Sequence, residues 1–211
     1  MEPAAADDGF TLSAHRIEAL SDGIYAVAMT LLVIDLKLPE GSVLRSTDDV
    51  ARALMVLAPR FEAWLVSFLV LALFWYGNHR LLAHLRRIDG RTVALNLAQL
   101  ALVSLMPFAC ALNGQYAGTA VQVVYAATMS ALSLLALLLL RHVHRHPDLT
   151  VHPVSDAEYT GGLLRTGGLV VVALLAVALA WAGEGSGNLA YLLMAFITPM
   201  SRRVERRRAA H

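Results

Sequence analysis

Three residues near the start of the chain carry charge or a hydroxyl into an otherwise apolar stretch. Arg16, Ser21 and Asp22 open the run RIEALSDGIYAVAMTLLVIDLKLP at 16–39. A carboxylate inside a bilayer costs at least a few kcal/mol, so such residues face a bundle interior or a water-filled cavity. Two chemistries fit that placement. One is a buried polar network that holds the first helix to its neighbours, and the other is direct contact between Asp22 and a proton or cation. Past Asp22 the polar content falls to one hydroxyl, Thr30, until Asp35 and Lys37 mark the far interface. On a helix, Val27, Thr30, Leu31 and Ile34 follow i, i+3, i+4, i+7 spacing and share a stripe roughly 100° around from Asp22. By residue type alone that stripe reads as ordinary core or lipid-facing surface. The helix is expected to offer two inward-facing surfaces, one polar and one nearly apolar.

The elements that would position these residues follow from composition. The chain has 211 residues, 57% hydrophobic and 16% charged, where a soluble domain carries about 25% charged residues. The fold class expected is therefore an all-α membrane protein. Apolar runs bounded by charge, Gly or Pro predict six transmembrane helices, at about 14–38, 59–79, 92–113, 117–141, 162–182 and 187–200. Between the first two, Asp48 is expected to cap a short amphipathic helix over about 49–58, ended by Pro59 and lying along the interface.

Arginines cluster at 80–91, at 141–165 and in the tail from Arg202 to Arg208, whereas 113–118 and 183–188 carry no Lys or Arg. The positive-inside rule then puts both termini in the cytoplasm. The expected organisation is a mobile cytoplasmic tail over 1–12, a six-helix domain over 13–200 and a basic cytoplasmic tail over 201–211. The acidic N-terminus lacks the basic region of a cleavable signal peptide. The expected location is the cell membrane, with membrane lipids as partners and the arginine tail touching anionic headgroups. Net charge is +1, and no nucleic-acid partner is expected.

Other residue types add little chemistry. Cys110 is the one cysteine and reads as a small buried apolar residue. The i, i+2 spacing of His142, His144 and His146 suits a strand or extended loop. No acidic or cysteine partner is spaced to complete a metal site, so no metal is expected. Asn96, Gln99 and Ser104 are expected to hydrogen-bond between helices, each contributing about 1 kcal/mol. Thr160-Gly161-Gly162 and Thr166-Gly167-Gly168 read as a helix start and as close helix packing. No catalytic motif is present, so no enzyme activity and no cofactor are expected.

The arrangement Arg16-x-x-x-Leu20-Ser21-Asp22 resembles the RxxxFSD signature of the transmembrane protein 175 family of lysosomal and bacterial potassium channels. The likeness extends through the small-apolar run after the motif. It also covers Phe74-Trp75-Tyr76-Gly77-Asn78-His79-Arg80, which is similar to the family's W-x-x-H-H-R helix ending. Leu20 stands in place of the usual Phe, and Asn78 in place of the first His. A second copy of the motif is absent, which matches the bacterial type with one six-helix unit per chain.

The resemblance implies a pore formed by four copies. It implies that Val27, Thr30, Leu31 and Ile34 line the constriction, with potassium as the permeant ion. For Arg16, Ser21, Asp22 and His79 it implies a structural network around the pore. On this reading the protein is a potassium-permeable channel, assembled as a homo-oligomer because one lining helix cannot enclose an axial pore, and as a homotetramer because the resemblance implies four copies. A proton- or cation-coupled secondary transporter and a non-conducting membrane assembly protein are the alternatives.

Overall fold

The computed structural model describes residues 14–38, 45–116 and 118–182. Every element of length among them is a helix. These are α1 (Ala14–Leu31), α2 (Thr47–Val56), α3 (Ala58–Ala83), α4 (Gly90–Gln115), α5 (Thr119–Arg145) and α6 (Asp156–Ala182). Short 3₁₀ turns follow α1 at Leu32–Asp35 and α5 at Pro147–Leu149. Five of the helices are long and apolar enough to cross a membrane: α1 with its 3₁₀ extension, α3, α4, α5 and α6. The chain is a multi-pass membrane protein. The expected sixth span at 187–200 and the two tails lie outside the described residues.

The short second helix differs from expectation at both ends. Ser46, not Asp48, is the N-cap: its hydroxyl accepts from the Asp49 N–H at 3.2 Å, and its own N–H donates to Asp49 Oδ2 at 3.0 Å. A capping box needs a carboxylate three residues inside the helix, and the Ser46–Asp49 spacing supplies it. Pro59 does not end α2. It sits in the first turn of α3, where its missing N–H has no intrahelical partner to lose.

α1 packs against α3 and α4, α4 against α5, and α5 against α6. The main core runs through these contacts, with Tyr25, Leu32, Val70, Val103, Met129 and Ala173 all fully buried. Lipid is as apolar as these side chains, so close fit rather than water exclusion holds the spans together. Glycine permits the closest approach: a Cβ on Gly162 would run into Leu140 Cδ2, where α6 meets α5. A second, small core of Ile17, Leu82, Leu85, Val143 and Leu149 sits at the arginine-rich end. There the loops close over it, with the Arg86 N–H donating to the Leu149 carbonyl at 2.8 Å and the Val151 N–H to the His84 carbonyl at 2.9 Å.

Candidate functional site

The inward face of α1 is set by Ile17, Ser21, Tyr25, Ala28 and, one step into the 3₁₀ turn, Leu32. Their spacing of three and four keeps them on one side of the helix. Two of them carry hydroxyls, and each meets an amide from α4. The Ser21 hydroxyl donates to the Ile17 carbonyl at 2.8 Å and accepts from Asn96 Nδ2 at 2.9 Å. The Tyr25 hydroxyl accepts from Gln99 Nε2 at 3.0 Å. Ser21, Tyr25, Asn96 and Gln99 are all at most 1% exposed, so these are polar rungs inside an apolar core. Ser104, the third expected bridging residue, takes no part: it is exposed and donates to its own Ala101 carbonyl at 2.7 Å.

Asp22 lies beside this face at the bundle's rim. Its Oδ1 accepts from the Trp75 indole N–H at 2.8 Å. The Trp75 ring stacks on His79, with centroids 5.6 Å apart. His79 Nδ1 in turn lies 3.3 Å from Glu18 Oε1 and 3.9 Å from Asp22 Oδ1. Glu18 and Asp22 are one turn apart on α1, and Trp75 and His79 are one turn apart on α3, so two acids face an indole and an imidazole. The structure thus divides the four expected motif residues. Ser21 is in the core, Asp22 and His79 meet at the half-exposed rim, and Arg16 is exposed with no ion pair among the described residues. Trp75, Glu18 and Tyr25 complete the arrangement.

The apolar stripe faces away from this chain's own core, contrary to the expectation that both surfaces of the helix point inward. Val27, Leu31 and Ile34 are 56%, 40% and 50% exposed, and Thr30 is exposed too. The inward positions are already taken by the Ser21–Tyr25–Ala28 row. Val27 and Leu31 form one wall of an open groove of about 530 Å³, with Leu97 and Ala101 of α4 opposite. The tightening to 3₁₀ after Leu31 also changes the stripe's geometry. Three residues make a full 3₁₀ turn, so Ile34 stacks over Leu31, about 6 Å further along the axis. The Thr30 hydroxyl donates to the Val27 carbonyl at 2.8 Å, which spends its proton and leaves its oxygen lone pairs as acceptors.

The histidines at the end of α5 are helical, not extended as their i, i+2 spacing indicated. The helix continues to Arg145, so His142 and His146 lie on one face with ring centroids 4.4 Å apart. His142 Nε2 donates to Asp89 Oδ2 at 2.8 Å, while Asp89 Oδ1 caps α4 by accepting the Thr92 N–H at 2.8 Å. Desolvation opposes ionisation of Asp89, but the Thr92 and His142 bonds outweigh it and hold the carboxyl at about 2. His144 points to the other side and stacks on Tyr159, centroids 4.4 Å apart. Among the described residues no group of three or more His, Cys, Asp or Glu side chains converges as metal ligands.

Comparison with known proteins matches residues 16–107 to the family model described as endosomal/lysosomal potassium channel TMEM175. A potassium channel of Streptomyces collinus is 33% identical over 135 residues, 62% of this chain and 64% of its own length. The human endosomal/lysosomal proton channel TMEM175 is 36% identical over 103 residues, 46% of this chain and 20% of its own. The chain thus spans less than two thirds of the length of these curated relatives. Among solved structures, a lysosomal potassium-selective channel TMEM175 homolog from Chamaesiphon minutus is 26% identical, with a TM-score of 0.70. That likeness covers 89% of this chain and 97% of the other. A second, the potassium channel MtTMEM175, shares the fold at 15% identity and a TM-score of 0.56, over 100% of this chain and 97% of its own. With the Arg16–Asp22 motif inside the matched region, residues 16–107 are similar to the TMEM175 family, and the chain shares the fold of its Chamaesiphon minutus homolog.

Proposed function

We propose that this chain is the subunit of a potassium-permeable channel in the cell membrane, a homotetramer whose four α1 helices line the pore, with both termini in the cytoplasm. The observation that carries the reading is the division of α1 into two faces. One face is locked to α4 by the Ser21–Asn96 and Tyr25–Gln99 bonds. The other presents Val27, Thr30, Leu31 and Ile34, which stay exposed against the described residues of the same chain. The relatives named as potassium channels support the permeant ion.

The chemistry follows from those side chains. Repeated around an axis, Val27, Leu31 and Ile34 make stacked apolar rings, which gate by dewetting. Potassium is larger than sodium and sheds part of its hydration shell at lower cost, so a dry ring favours it. The Thr30 oxygens, with lone pairs free for a cation, replace part of the lost water. Glu18, Asp22, Trp75 and His79 tie α1 to α3, and Arg16 completes the motif at the mouth of the assembly. No cofactor and no metal enter this reading.

Reconstitution of the purified chain into liposomes under a potassium gradient, with single-channel recording, tests it. Discrete conductance steps that reverse near the potassium equilibrium potential are the expected result. Saturable slow uptake without steps would instead mark a coupled transporter, and silence a non-conducting assembly protein. Because the mammalian relatives are named proton channels, the same liposomes carry a pH-sensitive dye to report proton flux.

A further inference from the structure

The last two turns of α5 put Leu138, Arg141, His142, Arg145 and His146 on one face, and the start of α4 brings Arg91 opposite them. Together these six residues line an open cavity of about 280 Å³. The cavity lies where both spans end: α4 begins at Gly90 and α5 stops at Arg145. Its charge is one-sided. Arg91, Arg141 and Arg145 are exposed, and none has a carboxylate partner among the described residues. The one acid beside them, Asp89, has its oxygens engaged by the Thr92 N–H and His142 Nε2. His142 is 6% exposed and its ring, packed on His146, forms a rigid wall rather than a solvated side chain.

Solvated anchoring arginines would fan out into water or pair with nearby acids. Here Arg91, Arg141 and Arg145 line one cavity where two membrane-crossing helices end. Guanidinium forks match phosphate oxygens two at a time. Leu138 supplies an apolar floor on the membrane side. We propose that this pocket binds a phosphate-bearing anion, presented either by a phospholipid headgroup or as free phosphate. The proposal uses only the membrane-spanning fold and stands apart from ion conduction.

Native mass spectrometry of the full chain in mixed micelles, offering phosphatidylglycerol against phosphatidylcholine, reads the lipid arm. Thermal shift with inorganic phosphate alone reads the other. Each arginine near an anionic surface contributes about 1 kcal/mol, which is about fivefold in affinity. Arg141→Gln/Arg145→Gln is therefore expected to lower phosphatidylglycerol retention about 25-fold, and Arg141→Lys/Arg145→Lys to keep most of it. A response to inorganic phosphate without preference between the lipids assigns the pocket to free phosphate. The proposal is overturned if the unmodified chain responds to neither probe, or if the glutamine pair in the pocket binds as the unmodified chain does.

Discussion

Ser21 on α1 and Asn96 on α4 share a 2.9 Å hydrogen bond across 75 residues of sequence. One turn further along α1, Tyr25 meets Gln99 in the same way. Two rungs between the same helices fix both the height and the rotation of α1. A slip of one residue would turn α1 by about 100° and leave four polar groups stranded in apolar surroundings. The rotation matters because it decides which way Val27 and Leu31 point.

A double-mutant cycle on Ser21→Ala and Asn96→Ala should therefore show coupling of about 1 kcal/mol in the stability of the detergent-solubilised protein. Tyr25→Phe should cost a similar amount, because it removes the acceptor for Gln99 while keeping the ring. Additive behaviour of the first pair would mean that the bond does not register the helices.

Asp22 calls for a different expectation from a fully buried acid. It is 43% exposed at its side chain and accepts from Trp75 at 2.8 Å. Asp22→Asn retains a carbonyl oxygen for the indole and should leave assembly largely intact. Asp22→Ala removes the acceptor and should destabilise the protein by about 1–2 kcal/mol, a hydrogen bond to a charged group discounted for exposure. Tryptophan fluorescence, dominated by Trp75 in a variant lacking the other two tryptophans, should shift for the alanine variant and hardly move for the asparagine one.

Helix existence was legible in the chain because runs of apolar residues bounded by arginines leave few alternatives in a membrane. The motif at 16–22 marks the helix whose Ser21 and Tyr25 face α4, and Asn96 and Gln99 are recognisable as polar side chains with no other business in a span. Tyr25 was harder to see, since an aromatic in an apolar run reads as core. Its place four residues after Ser21 was the available signal. The 3₁₀ turn at Leu32–Asp35 has no Gly or Pro to announce it. It is held from outside, by contacts of its end with α3 and α4 such as the Gln115 amide on Asp35 Oδ1 at 3.4 Å. The histidines near the end of α5 misled for a similar reason: their spacing was judged locally, while packing against Asp89 and Tyr159 extends the helix through them.

The Asp89–His142 contact gives a prediction in acid. Asp89 titrates at about 2 in the folded protein against 3.8 ordinarily. A depressed carboxyl contributes stability that is fully present above its unfolded value and is lost as pH falls through the folded one. Thermal melts should therefore show the unmodified protein losing its advantage over Asp89→Asn as the pH drops from about 4 to about 2. Above pH 5 the difference between the two should stay constant as far as this carboxyl is concerned. A difference that persists unchanged at pH 2 would place the stabilising role of residue 89 in its shape and capping alone.

The final prediction concerns the exposed stripe of α1, where the proposed pore is narrowest. Val27 lies in the α-helix, while Ile34 stacks over Leu31 through the 3₁₀ turn, so the rings formed by several copies would be spaced by about 6 Å along the axis. Water between such rings cannot recover its hydrogen bonds against methyl groups, and an ion crossing them meets a desolvation barrier. Val27→Asn and Ile34→Asn should each wet the constriction, raise unitary conductance and narrow the preference for potassium over sodium. Val33 is the matched control: it is 52% exposed, so asparagine is tolerated there, yet it points about 120° away from Ile34 in a 3₁₀ turn. Conductance and reversal potential for the three variants in one lipid mixture decide the matter. If Val33→Asn opens the pore while Val27→Asn and Ile34→Asn leave it unchanged, the lining face of α1 lies on the other side, and the constriction is built from Val33 and its neighbours instead.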